Sequence, residues 1–429
     1  MSNDTPFSFV MQGHVSPWQS QVLAIKEEQA RAAILVLTRD ILQRTLEQEV
    51  MAELGPRRAR RSDQVIAWAC RQCGERRQRF IRRNGHYRRG LTIQEGTIEL
   101  RVPLLRCRCD GYVEVMWQTL LPGQRYWIDV QLDAVRRYLA GSSHRLTADA
   151  VSVKAGTNVS HLVSWRTLQG VGTTRDASRG LGPCPRAVIL DDVYVTVGGE
   201  ERVFLLAVAD DGRPLALWGP TTREKASWVA LLDWLSARGI GPEAGLVGVT
   251  ADGDSAIREA VHLVWPGVVL QQCIWHILER VAENAAEVYE ATRPEVEEIV
   301  GEAASIFVQD RHAGDGMSRA TQAFASFESK HKGTRWADTV ERAFVEGTEY
   351  LRTPGLPRTN GEAERLIKEL RRRIKVMDGF KSQEGGEHFA VVWVAWQTVR
   401  RRWAEEQRRR RRRRRPRNLK IRAPYPKPP

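Results

Sequence analysis

AVILDDVYVTV, residues 187–197, opens with an apolar run that reads as a strand ending in two adjacent carboxylates, Asp191 and Asp192. A second apolar run, LVGVTADGD at 246–254, also ends in carboxylates, and a third, VVLQQCIWH, follows at 268–276. Three buried-looking strands, two of them delivering an Asp, are what a two-metal phosphoryl-transfer site needs, because its carboxylates must be held rigidly and close together. Such a site calls for one more acid, and TNGEAERLIKELRRR at 359–373 supplies it at Glu364.

The surroundings of these runs predict an α/β fold. VFLLAVADDGRPLALWGPT (203–221) holds two strand segments joined by Asp-Gly, a strong hairpin signal. KASWVALLDWLSARG reads as an amphipathic helix closed by Gly239, and DSAIREAVHLVW as a second helix in which Asp254 is the expected cap. Three antiparallel strands, helix, strand, helix, strand and a final acid-bearing helix form the ribonuclease-H-like, mixed-sheet arrangement. The helical stretch from about His276 to Tyr350 then reads as an all-α insertion.

Upstream, Cys70-x-x-Cys73 and Cys107-x-Cys109 fit two knuckles that bring four thiolates around one tetrahedral zinc ion. The alternating stretch between them, broken by a Gly-containing turn, suits the hairpins of a zinc ribbon. Arg76, Arg77, Arg82, Arg83, Arg88 and Arg89 surround this site and are candidates for phosphate contact. Next comes a helix-turn-helix pattern: a helix ending at Gly141, a second over about 146–154, a turn at AGTN and a third over about 160–168. Ser160, His161, Ser164 and Arg166 would then lie near the exposed start of the third helix, where base contacts are made. Before the cysteines, residues 17–54 read as one or two amphipathic helices, suited to packing or a dimer contact.

Charge narrows the class of partner. The chain of 429 residues has a formal net charge of +14 and is 42% apolar, enough to fill a core, and the basic balance suggests an anionic polymer. Residues 400–429 hold fifteen Lys or Arg against two Glu, and residues 57–109 hold fifteen Arg against four acids. Arg408–Arg415, eight consecutive arginines, repel one another, so a disordered tail that meets nucleic acid is expected. The opening MSNDTPFSF lacks a signal pattern and no run of about 18 apolar residues occurs, which predicts a soluble, cytoplasmic chain.

Taken together, the apolar run before Asp191, the TADG at 250–253, the Cys273-x-x-His276 pair, and RTN followed by a Glu just upstream of LRRR resemble the mutator-type DDE transposases of bacterial insertion sequences. The resemblance covers roughly residues 185–395. It implies a ribonuclease-H-like core with an α-helical insertion, cutting of element ends and their joining to target DNA. It also implies Asp191, Asp252 and Glu364 as ligands of two magnesium or manganese ions. Asp192 stands where that family usually has a small residue, which leaves the choice between the neighbouring aspartates open. Cys273 and His276 match the family signature, and a packing or DNA-positioning role is expected for them. Lys368, Arg371 and Arg372, with Lys375, are spaced to face a DNA backbone beside Glu364.

The expected layout is a helical segment (1–56), a zinc ribbon (57–120), a helix-turn-helix (121–172), a linker (173–184), the core (185–276 and 356–403), the insertion (277–355) and an Arg-rich tail (404–429). The expected partners are double-stranded DNA, as terminal repeats and target, and further copies of the chain, because two ends must be held together. A DNA-binding regulator or remnant without catalysis, and a stand-alone metal-dependent nuclease, are the competing readings.

Overall fold

The computed structural model describes residues 17–57, 61–120, 124–178, 181–289, 293–310, 314–377 and 379–414. It divides into two compact units, Met1–Thr167 and Leu168–Pro429. No helix among the described residues is long and apolar enough to cross a membrane.

The first unit is built on one long helix and one long hairpin. Helix α1 (Pro17–Leu54) is continuous. Leu42, Leu46, Val50 and Leu54 recur every four residues on it and bury one stripe. That stripe packs on β2 (Ile81–Ile93) and β3 (Gly96–Cys107), which pair antiparallel, and shares a core with Leu91, Ile93, Leu100, Val102 and Trp117. Gln43 of α1 donates to the Arg101 carbonyl at 3.0 Å and accepts from the Arg101 N–H at 2.9 Å, so a side chain completes pairing that the strand lacks. The 1–56 and 57–120 segments, expected as separate domains, therefore have a common core. Two short strands, β1 (Ala69–Cys70) and β4 (Val113–Glu114), pair beside the hairpin.

Three helices follow, α2 (Ile128–Leu139), α3 (His144–Ala155) and α4 (Leu162–Ser178). Ser143 caps α3 by accepting the Leu146 N–H, and Gly156, left-handed at φ 63°, ends it. Val130, Ala134, Val151, Ala155, Val159 and Val163 form the small core of this trio. The linker expected at 173–184 begins as helix, because α4 runs to Ser178; residues 179–180 lie outside the described residues.

In the second unit β5 (Ala187–Val197), β6 (Glu200–Ala209), β7 (Pro214–Thr221), β8 (Gly248–Ala251) and β9 (Val269–Gln272) form one mixed sheet in the order β7-β6-β5-β8-β9. The first three strands are antiparallel, and β8 and β9 add parallel to β5. Helices α5 (Lys225–Ser236) and α6 (Ser255–Val264) cover the sheet with a core that includes Trp228, Leu231, Leu235, Val261 and Trp265. The fifth strand ends at Gln272, earlier than expected. Cys273 turns the chain directly into α7 (Ile274–Tyr289), the first of four helices with α8 (Arg293–Phe307), α9 (Gly316–His331) and α10 (Arg335–Arg352).

These four helices are fastened to the sheet. Gln271 of β9 donates to the Gly347 carbonyl at 3.0 Å and accepts from the Tyr350 N–H at 2.8 Å, and Arg258 of α6 pairs with Glu346 of α10 at 2.7 Å. Two further helices close the unit, α11 (Gly361–Met377) and α12 (Gln383–Arg414). The arginine run expected to be disordered from residue 404 onward continues α12 through Arg414. Helix entered from a buried Trp- and Val-rich stretch propagates without a new nucleation cost. Residues 415–429 lie outside the described residues.

Leu46 is fully buried between helix and hairpin. Leu46→Ala should therefore cost about 2–5 kcal/mol, read as a lower denaturant midpoint of the first unit's transition.

Candidate functional site

The carboxylates are not at the end of β5. Asp191 and Asp192 lie in its middle, and it is the partner strand that stops. Parallel pairing sets Ile189 opposite Thr250, so Asp191 and Asp252 each stand two residues beyond matched positions, where β8 has ended at Ala251. The register thus places two acids in step at one end of a parallel strand pair, the place where open α/β sheets form their sites. Gly253 follows Asp252 at φ 86°, and a Cβ there would lie 2.4 Å from the Gln272 side chain. Only glycine satisfies both conditions. Asp254 caps α6 as expected, accepting the Ala256 N–H at 2.7 Å.

Successive strand residues face opposite ways, and the two neighbouring aspartates have different company. Asp191 accepts the Asn360 side-chain N–H at 2.8 Å. Burial, with Asp192, Asp252 and Glu364 close by, pushes its carboxyl up to about 7. Asp192 instead accepts Arg223 Nε at 2.6 Å, and burial raises its pKa against that guanidinium's pull. Glu364 is among the negative charges that raise Asp191.

Asn360 connects the signature cysteine to this aspartate. It is fully buried, accepts the Cys273 thiol at 3.2 Å and donates its own backbone N–H to Cys273 Sγ at 3.4 Å. Burial pushes the Cys273 thiol up, so it stays a neutral donor. Cys273 is held in turn by its N–H on the Ala251 carbonyl at 2.7 Å, and buried Thr250 fixes the incoming loop through the Pro357 carbonyl at 2.7 Å. The threonine of TADG, the cysteine and the asparagine of RTN thereby fix Asp191 relative to α11.

On α11, Ala363, Leu366, Ile367 and Leu370 are buried and leave Glu364, Lys368, Arg371, Arg372 and Lys375 exposed along the opposite face. Glu362 turns elsewhere: it pairs with Arg365 at 3.2 Å, and its carboxylate would lie 2.6 Å from a Cβ placed on Gly212. Ligand atoms of Cys273, His276 and Glu364 all lie within 4.8 Å of one another, and His276 Nδ1 is buried with no hydrogen-bond partner. Among the described residues, Asp191, Asp252 and Glu364 do not converge in this way; Asp252 is turned to Arg223, at 2.9 Å.

The four cysteines of the first unit do converge. Sγ–Sγ separations are 3.5 Å for Cys70–Cys109, 3.7 Å for Cys73–Cys107 and 3.4 Å for Cys73–Cys109. A tetrahedral zinc with bonds of about 2.3 Å would set these near 3.8 Å, so the donor set fits that ion. Burial opposes ionisation of Cys70, but the N–H groups of Cys73 and Gln72 outweigh it and lower the thiol to about 7.

The nearby arginines are less available than their sequence density suggests. Arg76 donates to the Ile66 and Ala67 carbonyls, and Arg83, whose pKa burial lowers, donates to the Gly55 carbonyl at 2.9 Å. Arg77 pairs with Glu75 and Arg82 with Asp110, both at 2.6 Å. Arg88 and Arg89 are engaged by Glu99 and by the Gln124 carbonyl. In the helical trio Ser160, His161 and Arg166 are exposed, but Ser164 is not. It is 2% exposed and bonds His144 Nδ1 at 2.7 Å, so it serves the trio's core and cannot reach a base.

The Mutator family of transposases matches residues 18–399. The chain belongs to that family. The match takes in α1, the cysteine hairpin and the helical trio, well beyond the 185–395 that the motifs alone suggested. No curated protein matches this transposase. The residue that sequence reading of the transposase missed is Arg223, in the turn between β7 and α5. It lies 31 residues from Asp192 and 29 from Asp252, and no local pattern marks it.

A carboxyl raised to about 7 is protonated in the folded chain and ionised in the unfolded one between about pH 4 and pH 7, so this group's contribution to stability falls as pH rises through that window. Asp191→Asn, which keeps an acceptor for Asn360, should raise the melting temperature of the metal-free transposase at pH 8, and the gain should shrink toward pH 5.

Proposed function

We propose that this transposase is a DDE enzyme that cleaves element ends and joins them to target DNA, with Asp191, Asp252 and Glu364 as its catalytic carboxylates. The observation that carries the reading is the register of β5 on β8, which sets Asp191 and Asp252 in step, with α11 presenting Glu364 from beside β5. Three antiparallel strands followed by two parallel ones, with the acids at their junction, support a ribonuclease-H-like core. Carboxylate oxygens fit a hard divalent cation. Two magnesium or manganese ions, when bound, would supply the charge that activates the attacking oxygen and stabilises the leaving 3′-oxygen.

The residues of the chain divide the remaining work. Asn360 holds Asp191 in one rotamer, Cys273 holds Asn360, and Glu364 begins a face whose Lys368, Arg371, Arg372 and Lys375 have no carboxylate partner among the described residues and suit a phosphate backbone. The helical trio would read the terminal repeats through Ser160, His161 and Arg166, and one structural zinc on Cys70, Cys73, Cys107 and Cys109 would fix the hairpin beside it. Of the expected phosphate contacts in that module, Arg77 and Arg82 sit in surface pairs that a phosphate can replace, whereas Arg76 and Arg83 brace backbone carbonyls. Copies of the chain would pair on DNA in the cytoplasm. Ile34, Leu37 and Ile41, exposed on α1 away from its buried stripe, are candidate contacts.

The test is a strand-transfer assay with magnesium and labelled DNA that carries the ends of the sequence flanking the gene. The native chain should yield joined product. Asp252→Asn and Glu364→Gln should each lose at least about a hundredfold, the scale of removing one group that stabilises transition-state charge. Cleavage without joining would favour a stand-alone nuclease, and binding with neither a DNA-binding remnant. Metal analysis of protein purified without chelator should find about one zinc per chain, and Cys73→Ser should lower that content.

A further inference from the structure

Arg223 belongs to no metal-ligand set and to no DNA-binding motif, yet it bonds one of the proposed catalytic carboxylates, Asp252, and two aspartates beside it. Its Nε lies 2.6 Å from Asp192 Oδ2, and its Nη2 lies 2.9 Å from Asp252 Oδ2 and 3.5 Å from Asp254 Oδ2. The other oxygen of Asp252, Oδ1, accepts the Asp254 N–H at 3.0 Å. Both oxygens of the second acid are therefore engaged, one of them by a cation. The arginine is not buried in place: its side chain is 38% exposed and stems from the turn between β7 and α5, so the guanidinium can swing outward.

We propose that Arg223 is the resident counter-cation of the carboxylate cluster and competes with a divalent ion for Asp252, so that the arginine must leave Asp252 before the ion is bound. This rests on the reading of Asp252 as a metal ligand. The physical argument is a conflict of charge and space. A guanidinium stays protonated under all ordinary conditions, and a magnesium or manganese ion bonds a carboxylate oxygen at about 2.1 Å. With Nη2 at 2.9 Å from that same oxygen, the two cations would stand within about 5 Å of each other, where like charges repel strongly in a partly buried site. Without either cation, Asp192, Asp252 and Asp254 face one another uncompensated. The arginine therefore stabilises the ion-free chain, and by linkage whatever stabilises the ion-free state weakens ion binding.

Manganese binding to the full chain, followed by the loss of the free-ion electron paramagnetic resonance signal and without DNA, tests the competition directly. Arg223→Gln should bind manganese more tightly, by roughly tenfold, and Arg223→Lys, whose point charge cannot bridge Asp192 and Asp252 together, should fall between Arg223→Gln and the native chain. Melting curves in metal-free buffer should show both variants folded, with Arg223→Gln the less stable. Unchanged or weaker manganese binding in the folded variants would overturn the proposal, since an arginine that merely orders Asp252 for the ion would give a loss. If Arg223→Gln does not fold, Arg223→Lys alone decides by the same sign. Asp252→Asn separates the two readings. Weaker binding in Asp252→Asn with no gain in the Arg223 variants removes only the counter-cation, whereas unchanged binding in Asp252→Asn removes the metal site as well.

Discussion

Like charge crowded at the end of a parallel strand pair is the constraint on which the second unit depends. Asp191, Asp192, Asp252, Asp254 and Glu364 come from strands and helices far apart in sequence, and left to themselves they would repel. Each is met by a different device. Asp191 takes up its proton near neutrality, Asp192 and Asp252 share Arg223, and Asp254 caps a helix whose N-terminal dipole favours its charge. Glu364 stays exposed at the start of α11, the one end of a helix where a carboxylate is electrostatically welcome. The fold spreads the cost of holding these groups together over a proton, a guanidinium and two helix termini.

The buried scaffold behind them is polar where polarity is needed for aim. Thr250, Asn360 and Cys273 are each fully buried, and each spends its hydrogen bonds on joining the strand ends to the segment 357–360. An apolar residue at any of these positions would pack, but it would leave the Pro357 carbonyl or the Asp191 carboxylate without its donor. Buried polar groups that are all satisfied define one arrangement of the chain. This accounts for a cysteine at position 273: as a small, neutral donor it satisfies an amide oxygen inside a dry space where a charged group could not stay.

Much of this was legible in the linear chain, and the physical reason is periodicity. The apolar runs before Asp191 and Asp252, the Asp-Gly turn that became the β6–β7 hairpin, the Asp254 cap and the stripe that buries α11 all depend on neighbours within a few residues. What stayed hidden depends on contacts across the fold. Ser164 carries the same signal as an exposed recognition-helix serine, and only its approach to His144 shows that it faces inward. Asp191 was expected at a strand end, but β5 runs on because β6 keeps pairing with it as far as Val197; the end belongs to β8. Arg223 is a single charged residue in a turn, and nothing in TTREKAS distinguishes it from a solvated one.

The arginines show why composition is a weaker guide than position. The cysteine hairpin is dense in arginine, yet Arg76 and Arg83 are spent on backbone carbonyls and Arg77 and Arg82 on carboxylates. Arg76 and Arg83 can turn to a phosphate only by giving up bonds that hold the hairpin together, whereas Arg77 and Arg82 would have to exchange a carboxylate for it. On α11 the balance is different: Ala363, Leu366, Ile367 and Leu370 fill the buried side together with Arg373, while Lys368, Arg371, Arg372 and Lys375 remain in water on the face that carries Glu364. Electrostatic attraction for a polyanion falls off within a Debye length, about 8 Å at physiological salt. On the proposed reading, the cations close enough to place a backbone at the carboxylates include those on the helix of Glu364, and the formal charge carried far from them contributes to encounter more than to placement.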